Sequence, residues 1–138
     1  MTDLDKAREL LISHDLTCAV VRGEKTLSST ARGVKPLLGW LDSGEVLSDA
    51  SAADKVVGKG AAMLYVLLGV KNVYAKVISE IALECLNANG ISASADSVVP
   101  RIVNRKGDGL CPIESAVCDI DDPETALLAI RKRLSELK

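Results

Sequence analysis

The sequence predicts a single α/β domain, three layers deep (α/β/α), built around a mixed β-sheet. Three observations carry that expectation. Two β-competent runs, residues 16–21 and 26–30, flank the turn Arg22-Gly23-Glu24-Lys25 and make a hairpin. Downstream, strand-like and helix-like periodicities alternate in the way that strand–helix–strand crossovers require. The length of 138 residues, 48% of them hydrophobic, is enough to bury one core and too little for two ordinary domains.

The elements follow in order. Residues 3–13 place Leu4, Ala7, Leu10 and Leu11 at helical spacing, and the helix ends near His14-Asp15. After the hairpin, residues 34–41 read as a short helix with Pro36 in its first turn, where a missing N–H does no harm. Residues 44–50 are a loop. Ser51-Ala52-Ala53-Asp54 has the form of a capped helix start, a hydroxyl with a carboxylate three residues on. It predicts a central helix over about 52–68, buried on more than one side, with Lys55 and Lys59 sharing a face.

Residues 73–78 read as a strand, and Ser79 caps a helix that stops at Asn89-Gly90. Residues 91–99 are extended and closed by Pro100. Residues 101–104 form a further short strand before the turn Arg105-Lys106-Gly107-Asp108-Gly109. Cys111-Pro112-Ile113-Glu114 opens a helix with Pro at its first position, and Asp122-Pro123 opens the last one, striped by Ala126, Leu127, Ile130 and Leu134.

Composition excludes several functions. A net charge of −2 with both signs interleaved gives no electrostatic case for nucleic-acid binding. Trp40, Tyr65 and Tyr74 are the whole aromatic complement, too few and too scattered for a base-stacking platform. With one His, a zinc site would need Cys and carboxylates for nearly all its ligands. The longest apolar stretch, residues 60–70, falls short of a membrane span, and the acidic start lacks the pattern of a signal peptide. Cys18, Cys85, Cys111 and Cys118 have no framework spacing and read as cytosolic thiols, so the expected location is the cytoplasm.

Ligands of such sheets gather where strand ends meet helix starts, because unpaired N–H groups and the helix dipole converge there. Three starts carry polar residues: Ser51/Asp54/Lys55, Ser79/Glu80 and Cys111/Pro112/Glu114. Gly58-Lys59-Gly60 is not a phosphate loop, since Ala53 and Gly60 stand where that motif needs Gly and Ser/Thr. Lys55 and Lys59 read either as anion contacts or as solvated lysines on a helix that Asp54 caps. Lys76, in a strand covered on both faces, is either a buried cation in need of a carboxylate or a side chain that reaches out to water. Cys111 at a helix start has a dipole-stabilised thiolate or serves as a small cap residue. Lys59 or Lys76 are its available activators, because the only His, His14, belongs to the first helix.

The strings Gly33-Val34-Lys35-Pro36-Leu37-Leu38 and Ala53-Asp54-Lys55-Val56-Val57-Gly58-Lys59 resemble a small prokaryotic family whose fold is similar to cytidine deaminase. Val73-Tyr74-Ala75-Lys76-Val77-Ile78-Ser79-Glu80, Val99-Pro100, Asn104-Arg105 and Cys111-Pro112-Ile113-Glu114 extend the resemblance over almost the whole chain. It implies a deaminase-like fold and a homodimer. Zinc deaminases carry H/C-x-E at one helix start and P-C-x-x-C at the next. Aligned by element order, those motifs fall near Ala53-Asp54-Lys55 and Ser79-Glu80-Ile81-Ala82, which offer no such ligands.

The functional expectation is therefore a zinc-free deaminase-like domain that binds a small polar, nucleotide-like ligand and uses no cofactor. Asp54, Lys55, Ser79, Asn104 and Glu114 are the expected ligand contacts, with Cys111, Lys59 and Glu80 for any chemistry. The alternative is a regulatory or protein-interaction module that keeps the fold without turnover.

Overall fold

The computed structural model describes residues 1–104, 106–107 and 109–137. The elements are α1 (Asp3–Ser13), β1 (Cys18–Arg22), β2 (Lys25–Ser29), α2 (Lys35–Asp42), β3 (Ser51–Val57), α3 (Lys59–Leu68), β4 (Asn72–Ser79), α4 (Glu80–Ala88), β5 (Ser92–Val99), α5 (Pro112–Val117) and α6 (Pro123–Glu136). Five strands form one sheet in the order β2-β1-β3-β4-β5. β1 runs antiparallel to both β2 and β3, whereas β3, β4 and β5 are parallel, so the sheet is mixed.

The topology explains the layering. β3-α3-β4 and β4-α4-β5 are two crossovers that step the same way across the sheet, so one handedness puts α3 and α4 on the same face. Val20, Ala52, Val73 and Ala75 point to that face and join the main core with Leu64, Leu86 and Ile130. Their strand neighbours Val21, Ala53 and Tyr74 point the other way and pack beneath Ala7 and Leu11 of α1. The helix α1 thus covers one face, held at its start by a capping box between Thr2 and Asp5.

The one large departure from the sequence reading is residues 51–57, which form the central strand β3 and not the first turns of a helix. Ala52 and Ala53 are fully buried on opposite faces, one under the α3 layer and one under α1. Small side chains let both helical layers approach the sheet closely here, and pairing with β1 and β4 overrides the helix preference of Ala. Gly58 then caps α3, so Lys55 lies on a strand and Lys59 opens the helix; they share no helical face.

The expected short strand at 101–104 is reduced to one isolated bridge between Val103 and Leu110, after Pro100 ends the edge strand without a donor. In the turn that follows, Arg105 and Asp108 lie outside the described residues. Lys76 is half-buried and forms no ion pair among the described residues, which fits a stem laid along the sheet with its ammonium at the water. None of the helices among the described residues is long and apolar enough to cross a membrane.

The strand assignment of residues 51–57 has a measurable consequence. Ala53→Val raises β-propensity yet adds two methyl groups where α1 meets the sheet. The urea midpoint should fall, by a stability loss of about 1–3 kcal/mol for overpacking.

Candidate functional site

β3 carries its chemistry at its carboxyl end. The alternation of faces slips there: Val57 and Ile78 rejoin the face of Ala52 and Val73, an odd number of residues away. The strand register passes from Asp54↔Ala75 directly to Val56↔Val77, skipping Lys55 and Lys76. As a result Asp54, Lys55 and Val56 all border one cavity of about 320 Å³. Its other walls are Thr17 ahead of β1, the loop Arg32-Gly33-Val34 ahead of α2, Gly58 and Ala61 of α3, and Ile102, Cys111, Ile113 and Glu114 from the C-terminal segment.

Two buried carboxyl groups lie on this cavity, in opposite circumstances. Glu114 reaches from α5 to the start of α3, where Oε1 accepts the Lys59 N–H at 2.6 Å and Oε2 accepts the Gly60 N–H at 3.0 Å. That carboxylate satisfies two orphan donors of a helix start and meets its positive dipole end. Gly58 is required because a Cβ there would collide with the Glu114 carboxyl, and one on Gly60 would lie 2.8 Å from Ile113 Cγ2. The two glycines that look costly in a helix interior are therefore the cap and the first turn, cleared for Glu114 and Ile113.

Asp54 has less support. Its side chain is buried; the Tyr65 hydroxyl donates to Oδ2 at 2.7 Å and the Val56 N–H reaches Oδ1 only at 3.4 Å. Burial, only partly offset by those hydrogen bonds, pushes its pKa up to about 7. Behind it, the Cys18 sulfur lies 3.2 Å from the Tyr65 oxygen, and burial raises both the thiol and the phenol well above their ordinary values. Asp54 therefore has a carboxyl that exchanges its proton near neutrality, at the wall of a cavity with apolar sides.

The expected site residues divide into groups. Asp54, Lys55, Cys111 and Glu114 come together around the cavity. Cys111 is half-buried at the start of α5, with Pro112 at the first helical position. Asn104 lines an adjoining groove outside it. Lys59 is buried, but its ammonium turns away to donate to the Cys118 carbonyl at 3.2 Å, with exposed Asp121 at 3.9 Å. Ser79 is buried and caps α4 by accepting the Ala82 N–H, while Glu80 is exposed; neither lines the cavity or the groove. Of the three helix starts expected to converge, those at Ser79 and Cys111 are thus not on one cavity. His14 lies on a separate recess with Lys6 and Glu9.

Sequence reasoning missed Thr17, Arg32 and Tyr65. A Tyr inside an apolar run does signal a need for a buried partner, which here is Asp54. Arg32 sits in a loop whose only local mark is the positive φ of Gly33.

The zinc implied by the deaminase resemblance does not fit this donor set. The start of α3 presents Gly58, Lys59 and Gly60 and is filled by Glu114, and the start of α4 presents Ser79, already used as a cap. Among the described residues no group of three or more His, Cys, Asp or Glu side chains is placed to hold a metal ion.

Fold and site together define an α/β domain with a buried carboxyl beside a cavity at the carboxyl end of its parallel strands. The chain belongs to the DUF1893 family: the family model TM1506, a domain of unknown function, matches residues 6–134. A crystal structure of a DUF1893 family protein (TM1506) from Thermotoga maritima is similar at 31% identity with a TM-score of 0.85, over 99% of this chain and 91% of that one. No match is found among curated proteins.

Two outcomes check this geometry. Asp54 holds a proton in the folded protein between about pH 4, where an unfolded Asp loses it, and about 7. The folded state binds more protons in that window, so Asp54 lowers stability as pH rises, by up to about 1.4 kcal/mol per pH unit. Asp54→Asn should flatten that fall between pH 4 and 7 in thermal melts, and an unchanged profile would contradict the burial of this carboxyl. Gly58→Ala should cost about 2 kcal/mol or more in the wild-type background. In a Glu114→Ala background the same change should cost clearly less, a coupling readable from a double-mutant cycle in urea.

Proposed function

We propose that this chain is a zinc-free domain of deaminase-like fold that binds a small polar, nucleotide-like ligand in the cavity beneath Asp54. The observation that carries this reading is the Asp54 carboxyl itself, buried at the wall of a cavity whose sides include Val34, Val56, Ala61, Ile102 and Ile113. Apolar walls with a few fixed polar groups suit a flat heterocycle, and a carboxyl that titrates near neutrality suits one with an N–H donor or a weakly basic nitrogen. The two helical layers around a mixed sheet support the deaminase-like assignment.

Binding without turnover is the favoured form of this reading. Glu80 lies outside the cavity and the Lys59 ammonium is committed to the Cys118 carbonyl. Cys111 has no His beside it, because His14 lines a different recess.

Adenosine and cytidine are suitable probes. Titration calorimetry should find binding of at least one of them, weakened about tenfold or more in Asp54→Asn through loss of a charge-assisted acceptor. The same nucleoside should slow alkylation of Cys111 by iodoacetamide while leaving exposed Cys118 unchanged, read by mass spectrometry. Equal affinity in Asp54→Asn together with an unprotected Cys111 would remove the cavity from consideration.

A further inference from the structure

The cavity opens into a groove of about 1020 Å³, with Arg32, Gly33, Val34, Val56, Cys111 and Ile113 lining both. The two differ in charge. The inner cavity holds the Asp54 and Glu114 carboxyls beside Arg32 and Lys55, whereas the groove holds Arg32, Lys35 and Lys106 and, among the described residues, no Asp or Glu. This segregation occurs in a chain with 19 acidic against 17 basic residues. The three cations are exposed, and none of them forms an ion pair with another described residue. Lys55 at the inner cavity does have such a partner, exposed Asp15 at 3.5 Å. The other buried carboxylate on the cavity, Glu114, has both oxygens occupied by the start of α3.

Resting on the cavity reading above, we propose that Arg32, Lys35 and Lys106 form a second subsite, for a phosphate-class group carried by the same ligand. The ligand is then bipartite, with an N–H-bearing head at Asp54 and a dianionic tail at the groove. Three cations without a counter-charge among the described residues favour a multiply charged oxyanion, and the Arg32 fork can pair two of its oxygens at once. The shared lining residues put the two halves side by side, which suits a single small molecule that spans both. A nucleoside monophosphate has this chemistry; its parent nucleoside has only the first half.

Titration of wild-type protein with adenosine and cytidine, their 5′-monophosphates and inorganic phosphate tests the assignment. A monophosphate should bind about tenfold or more tightly than its nucleoside, and more tightly than inorganic phosphate. The exposed double substitution Lys35→Gln/Lys106→Gln, at residues that line only the groove, should bring the monophosphate down toward the nucleoside's affinity and leave the nucleoside unchanged. Equal affinities for nucleoside and monophosphate, with binding still dependent on Asp54, would overturn the second subsite and leave the cavity reading standing. So would a monophosphate preference that survives the double substitution with Arg32→Gln added. Inorganic phosphate binding as tightly as the monophosphate would overturn the bipartite ligand. Monophosphate binding indifferent to Asp54→Asn would overturn it through its other half, and no binding of any probe would overturn both readings.

Discussion

The reach of Glu114 across more than fifty residues to the start of α3 is the interaction on which the site depends. A helix start inside a protein leaves N–H groups that must find acceptors, and here no side chain local to α3 provides one. The acceptor comes from α5, so capping the central helix and docking the C-terminal segment are one event. Lys59 adds a second tie in the same direction, its backbone held by Glu114 and its ammonium by the Cys118 carbonyl. Val117, Ala126 and Ile130 then complete the core beside α3. Because Gly58 and Glu114 are also cavity walls, the cavity has its shape only when this clamp is closed.

The same small volume holds two buried carboxyl groups with different hydrogen-bond partners. Glu114 is buried with two short backbone donors and a helix dipole aimed at it, an arrangement that repays desolvation of a charge. Asp54 is buried with one strong donor, from a phenol whose own proton is hard to remove. The first is a structural anchor, saturated by the protein. The second is held by one short hydrogen bond and one long one, and its proton moves near neutrality at the cavity wall.

Much of the fold is legible in sequence because its signals are local. The glycine turn of the hairpin, the Ser79 cap, the Asn-Gly stop and the Asp122-Pro123 start each act within a few residues, and each element forms where that chemistry puts it. β3 is not legible in that way. Ser51-Ala52-Ala53-Asp54 satisfies the local pattern of a helix start, and only pairing with β1 and β4, more than fifteen positions away on either side, makes it a strand. The error carried into the site, since it put Lys55 and Lys59 on one face and assigned the glycines to a helix interior. Asp54, Lys55, Cys111 and Glu114 were nevertheless nameable from residue type at element ends. Tyr65 and Arg32 were not, because one acts through a contact eleven residues back and the other through a loop that only the tertiary fold brings to the cavity.

The cavity also lies beside a helix start and not on it. In a parallel β-α unit the first turn of the helix is the natural place for an anion or a metal ligand. Here that place is occupied from within by Glu114, which leaves no orphan donors at the Lys59 and Gly60 N–H groups. The accessible space is displaced sideways, toward the β3 end at Asp54 and the loop before α2 at Arg32. Polar groups that remain exposed to it are therefore side chains and not the helix start. A catalytic inventory read from helix starts names Lys59, whose ammonium is held by the Cys118 carbonyl, and Glu80, which is exposed away from the cavity, while the side chains on the cavity include a protonatable carboxyl, a thiol and a guanidinium drawn from a strand end and two connecting segments.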